Sequence, residues 1–172
     1  MGRLDPAQEA GKLLITHNIA AIPVPVATIA RDSKIQLVLQ PLEDDVSGVL
    51  YRDGTKIVMG VNSRHAPTRR RFTIAHELGH WSLHAGRDVH VDRATRVNFR
   101  HQQVWGIEEV EANRFAANLL MPRWAFTPDL VQALNEPGTT LPAAIHRLSV
   151  TFRVSQQAMQ FRLTELGILD PA

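Results

Sequence analysis

The residues of this chain best suited to chemistry are two histidines and a glutamate in the run His76-Glu77-Leu78-Gly79-His80. On an α-helix His76 and His80 lie one turn apart and point the same way. Two imidazoles on one helix face can hold a zinc ion and leave other coordination positions open. Glu77, about 100° further round the helix, can reach a water beside such an ion without replacing a histidine. These are the groups a metallohydrolase needs. Random placement of the eight histidines and eight glutamates among 172 residues gives this triplet only about 0.02 times.

The phase of the surrounding residues supports a site over incidental histidines in a buried helix. At about 100° per residue, Thr73, His76, Glu77, His80 and His84 fall within one arc of roughly 100°. Phe72, Ala75, Gly79 and Leu83 flank that arc on one side, and Ile74, Leu78 and Trp81 on the other. A polar stripe between two apolar flanks is buried with them and needs partners. A metal satisfies all three groups.

The chain contains no Cys, so thiolate ligands and disulfides are excluded and a third ligand must be a carboxylate or another histidine. A second helix is expected over residues 105–121. On it Glu109 and Asn113 sit in the middle of an apolar face made by Val110, Ala112, Phe115, Ala116, Ala117, Leu119 and Leu120. A carboxylate placed there calls for a cation. Glu109 is therefore the candidate third ligand, the other reading being a buried salt bridge with an arginine. Asn113, one turn on, can orient a ligand histidine. Glu108 lies at the edge of that face, and Glu111 falls on the polar side and reads as solvated. His84, one turn beyond His80, reads as an outer support or cleft wall. Its spacing does not match the longer metzincin pattern. An oxyanion stabiliser is usually required, with Tyr51, His90 and His101 as unranked candidates.

The elements that position these residues read as α+β. Asp5-Pro6 starts a helix over residues 7–17, and a second short helix covers 26–31. Residues 35–39 form a strand, and 47–52 and 55–62 flank Asp53-Gly54 as a hairpin. The expectation is a small three-stranded, mostly antiparallel sheet packed on the His-Glu-x-x-His helix, residues 68–84. Strand 47–52 is the candidate edge for binding an extended substrate backbone. Residues 86–104 read as polar and irregular. Three further helices are expected, from Thr127-Pro128 to about 134, over 142–148, and over 155–166 with Gly167 as the stop. The last two resemble a helix-turn-helix pair with little positive charge, so packing on the metal domain is expected rather than DNA binding. Residues 1–123 thus read as the metal domain and 124–172 as a C-terminal helical subdomain.

Composition narrows the class further. The formal net charge of +2 and the 44% hydrophobic content fit a domain with a real core and provide no electrostatic argument for nucleic acid. Arg69-Arg70-Arg71, the one basic cluster, reads as a solvated or ion-paired helix start. The N-terminus lacks the apolar segment of a signal peptide, and no apolar run approaches membrane-spanning length. A cytoplasmic protein without a membrane partner is expected.

The run Arg71-Phe72-Thr73-Ile74-Ala75-His76-Glu77-Leu78-Gly79-His80, followed by Glu109-Val110-Glu111-Ala112-Asn113-Arg114-Phe115-Ala116-Ala117-Asn118-Leu119-Leu120-Met121-Pro122, resembles the ImmA/IrrE family of metallo-endopeptidases. The resemblance extends over most of the chain, from Ile22-Pro23-Val24 to Leu166-Gly167. It implies a gluzincin-like (zincin) fold, zinc held by His76, His80 and Glu109, and Glu77 as catalytic base. It also implies cleavage of a helix-turn-helix transcriptional repressor, here a separate polypeptide. A non-proteolytic, metal-containing regulatory partner of a repressor or toxin–antitoxin-like pair is the competing implication.

Overall fold

Helix starts are set by local chemistry. Asp5 Oδ1 accepts hydrogen bonds from the N–H groups of Ala7 and Gln8, and Pro6 opens the helix that follows. This satisfies two orphan donors at no cost to the ladder. The resulting helix α1 spans Pro6–Thr16 and α2 spans Val26–Asp32. The computed structural model describes residues 3–84, 88–93, 106–128, 130 and 139–170. The remaining elements are strands β1 (Ile35–Gln40), β2 (Val46–Asp53) and β3 (Lys56–Asn62), helix α3 (Pro67–Leu83), strand β4 (Val89–Arg93) and helices α4 (Ile107–Leu120), α5 (Leu141–Phe152) and α6 (Gln156–Glu165). A 3-10 turn, Arg123–Ala125, follows α4. The helix expected up to residue 134 lies largely outside the described residues.

The sheet corrects the sequence reading. It has four strands, not three, in the order β1-β3-β2-β4, and β1 runs parallel to β3. The hairpin at Asp53-Gly54 is present, with β2 antiparallel to β3 and Gly54 at φ 55°. The stretch read as irregular supplies β4, which pairs antiparallel with β2. Strand 47–52 is therefore central rather than an edge. The physical reason is length: Val89–Arg93 has five residues, too few for alternation to show, and its partner is some forty positions earlier.

Strand β3 lies between β1 and β2, so the link at residues 41–45 must span two strand spacings, about 10 Å. Asn62 secures that link. It is fully buried. Its Oδ1 accepts from the N–H of Leu42 and of Arg64, and its Nδ2 donates to the carbonyls of Glu43 and Val46. Asn62→Leu strips partners from these backbone groups and should lower stability by about 2–4 kcal/mol. Thermal unfolding checks this, and an unchanged melting temperature would show that the loop does not depend on Asn62.

Helix α3 packs against β2 and β3 and against α4, while α1 rests on α3 and α4. One apolar cluster runs from Ile29 and Ile35 through Met59, Leu78 and Phe115 to Phe152, Met159 and Leu163. The C-terminal pair joins this core and is anchored by two arginines. Arg71 donates to the carbonyls of Val24 and Arg153. Arg162, nearly fully buried, donates to the Met121 carbonyl, to Asn118 and to Glu165. The arginine run at the start of α3 thus serves partly as a backbone clamp: Arg71 binds two carbonyls, and Arg69 donates to Ser47 Oγ. Among the described residues, no helix is long and apolar enough to cross a membrane.

Candidate metal centre

Helix α3 is held between two close approaches. On the sheet side, a Cβ added to Gly48 of β2 would lie 2.6 Å from Thr73 Cγ2 and 2.8 Å from Glu77 Oε1. On the other side, a Cβ on Gly79 would meet Ala112 Cα at 3.1 Å and Phe115 Cβ at 3.2 Å. Gly48 therefore sets the space for Glu77, and Gly79 lets α4 come close enough to present Glu109. At the end of the helix, Arg52 donates to the carbonyls of His80 and His84 at 2.9 and 2.8 Å. Its positive charge suits a helix C-terminus.

Three of the sequence-nominated ligands converge. His76 Nε2 and His80 Nε2 are 3.1 Å apart. Glu109 places one carboxylate oxygen 3.4 Å from His76 Nε2 and the other 3.4 Å from His80 Nε2. An ion with tetrahedral bonds of 2.0–2.1 Å needs donors roughly 3.3 Å apart. Among the described residues the close partners of Glu109 are His76, His80 and His90, not an arginine.

The outer nitrogens decide which way the lone pairs point. His76 Nδ1 lies 3.0 Å from Asn113 Oδ1, an acceptor, so Nδ1 carries the proton. His84 Nε2 lies 3.0 Å from Glu111 Oε2, so it donates, and His84 Nδ1 accepts from His80 Nδ1 at 3.1 Å. Both networks leave the Nε2 lone pairs facing each other and the Glu109 carboxylate. Three electron-rich groups at this spacing repel unless a cation lies among them. The residues present therefore fit a divalent metal ion. Burial pushes His80 below the ordinary imidazole value, which favours the neutral, lone-pair-bearing ring.

Glu77 is fully buried, and both of its carboxylate oxygens are without a hydrogen-bond partner among the described residues. Burial raises its pKa well above the usual carboxylate range, the negative charges of Asp92 and Glu109 add to the rise, and Arg52 opposes it. A buried carboxyl beside the cluster, with no hydrogen-bond partner among the described residues, is placed for proton transfer at that cluster.

Two members of the site were not assigned these places from sequence. His90 on β4 was named only as an oxyanion candidate. It stacks on His80 with ring centroids 3.6 Å apart, and one of its nitrogens is 3.6 Å from Glu109 Oε1. His76, His80, His90 and Glu109 form a group whose ligand atoms all lie within 4.8 Å of one another. Within the paired strand, the alternation Val89-His90-Val91 turns His90 to the face opposite two exposed valines, but so short a run is no signal in the sequence alone. Glu111, read as solvated, instead accepts from His84 and pairs with Arg3 at 3.4 Å. Tyr51 lies exposed on β2 opposite Val89, outside the cluster. His101 lies outside the described residues.

The Glu111–His84–His80 chain fixes the orientation of the His80 ring. Cutting it with His84→Ala should weaken metal binding about 10- to 100-fold with folding retained. Competition against a chromophoric chelator measures this, and wild-type affinity in the variant would make His84 mere cleft wall.

Residues 30–164 match the family described as the IrrE N-terminal-like domain (Peptidase_M78). An immunity-region protein of Bacillus phage phi105 is 30% identical over 104 residues, covering 55% of this chain and 61% of that protein. A solved Mycobacterium tuberculosis transcriptional regulator is 20% identical, with a TM-score of 0.58 over 93% of this chain and 46% of the regulator. The chain thus spans about three fifths of the phage protein and under half of the regulator, and the second likeness concerns the fold alone. Because the family match runs through the sheet and through both helices that bring His76, His80 and Glu109 together, the chain belongs to the ImmA/IrrE family of peptidase-like domains.

Proposed function

We propose that this chain is a zinc-dependent endopeptidase of gluzincin-like fold, active in the cytoplasm, whose substrate is a helix-turn-helix transcriptional repressor. The observation that carries the reading is the convergence of His76, His80 and Glu109 at 3.1–3.4 Å beside the buried carboxyl of Glu77. When bound, zinc supplies Lewis acidity that polarises a carbonyl and makes water a nucleophile near pH 7. Glu77 takes the proton of the attacking water and delivers it to the leaving amine. Asn113, His84 and Glu111 keep the imidazoles aimed. The substrate backbone adds to the outer edge of β4, the strand that carries His90 into the cluster. The repressor as substrate is supported by the family and by the likeness to a phage immunity-region protein.

The test is incubation of the purified protein with the repressor encoded beside it. Discrete fragments should appear, vanish with a chelator and return with added zinc. An intact repressor under all three conditions would overturn the reading.

A further inference from the structure

Toward the N-terminus of α3, the His76 side of the helix continues into Arg69 and, on its apolar flank, Phe72. At about 100° per residue, Arg69, Phe72 and His76 fall within roughly 60° of one another, so they share a face. Beside that face is a pocket of about 770 Å³, within the roughly 300–1,000 Å³ of ligand-binding clefts. Its walls are largely apolar: Phe72 from α3, Ala117 from α4, Met121, and Ala158 and Phe161 from α6. Asn113 lines it too, while its Oδ1 contacts His76 Nδ1 at 3.0 Å, so one side chain borders both pocket and metal cluster. The Phe72 ring is 6.3 Å from the His76 ring. An extended peptide advances about 3.3 Å per residue, so the separation of the Phe72 and His76 rings corresponds to about two residues of substrate.

Its lining charges are unequal: Arg69, Arg114 and Arg162 against Glu165. Arg162 is buried against Glu165 at 2.6 Å. Arg69 and Arg114 also line the pocket and are both exposed, Arg69 bonded to neutral Ser47 and Arg114 lying 3.9 Å from the already engaged Glu165. Phe161 stands at the solvent side with 68% of its surface exposed. An apolar pocket with two cations and an exposed aromatic, contiguous with the catalytic face, matches a peptide segment carrying a bulky apolar side chain next to a carboxylate.

We propose that this pocket is the specificity site: it takes a large apolar side chain of the polypeptide substrate within two residues of the scissile bond, and Arg69 and Arg114 engage an acidic side chain beside it. This rests on the peptidase reading above. It gives α6 a function that its resemblance to a helix-turn-helix does not suggest, since α6 forms a wall of the substrate site.

The test is cleavage of a randomised peptide mixture by the zinc-loaded full chain, read by mass spectrometry. Wild-type protein should select a large apolar residue at one position within two residues of the cut, with Asp or Glu enriched next to it. Ala117→Trp fills the pocket and Phe161→Ala removes a wall, so each should lower the preference for large over small side chains at that position at least tenfold. Arg69→Glu and Arg114→Glu should each turn the acidic preference toward Lys and Arg. Preferences that survive all four changes overturn the proposal. If wild-type protein cuts no peptide, the peptidase reading is decided by the repressor incubation above, and the pocket is read by binding of 1-anilinonaphthalene-8-sulfonate, an apolar ring system with one anionic group. Binding weakened at least tenfold by both Ala117→Trp and Arg114→Glu supports an apolar, anion-accepting pocket; binding indifferent to both overturns it.

Discussion

On the peptidase reading proposed above, Glu77→Gln should remove cleavage while metal is still bound. The expected loss in kcat is about 10²- to 10⁴-fold, the usual contribution of a positioned general base, with zinc content by atomic absorption equal to wild type. Glutamine keeps the shape of the side chain, which matters because the space around it is set by Gly48. It cannot take a proton from water. The buried carboxyl, with its raised pKa, is the group in the site best placed to hold one. Cleavage at the wild-type rate would show that another group moves the proton. Loss of zinc would show that Glu77 is a ligand instead. The same variant separates proteolysis from regulation by association: a repressor partner that is still bound and still controlled by Glu77→Gln protein would favour a non-proteolytic role.

Glu109→Ala should cost zinc affinity more than the loss of any outer support. Removing an outer partner is worth about 10- to 100-fold, and a direct ligand exceeds that range. The argument is electrostatic. Glu109 supplies the one negative charge that bridges both histidines, at 3.4 Å to each. Without it only neutral imidazoles face the ion. His90 remains within reach of the cluster, so the residual binding of Glu109→Ala should fall further in the double variant with His90→Ala. Chelator competition on the single and double variants measures both steps. Wild-type affinity in Glu109→Ala would remove Glu109 from the ligand set. Equal affinities of the single and double variants would place His90 outside it.

What the sequence determined by itself is what one helix can encode. His76, Glu77 and His80 are read from spacing because a 3.6-residue period brings positions one turn apart onto one face, whatever surrounds them. The same logic separates Glu109 from its neighbouring glutamates, since a carboxylate amid Ala112, Phe115 and Ala116 must enter the core with them. Helix starts such as Asp5-Pro6 and the Asp53-Gly54 hairpin are equally local, resting on caps and turns within a few residues. Tertiary structure decided whatever joins distant segments. Strand β4 exists because β2 offers it a partner, and five residues of Val89–Arg93 carry too little pattern to announce it. His90 reaches the cluster only through that pairing. Glu111 looks solvated on its own helix, yet His84, 27 positions earlier, accounts for its orientation. The parallel placement of β1 against β3 needs a link that crosses β3, and Asn62, at the end of β3, pins it. Residues that must act within one turn are legible in one dimension. Those whose partners lie across the fold acquire their roles only when packing brings the partners together.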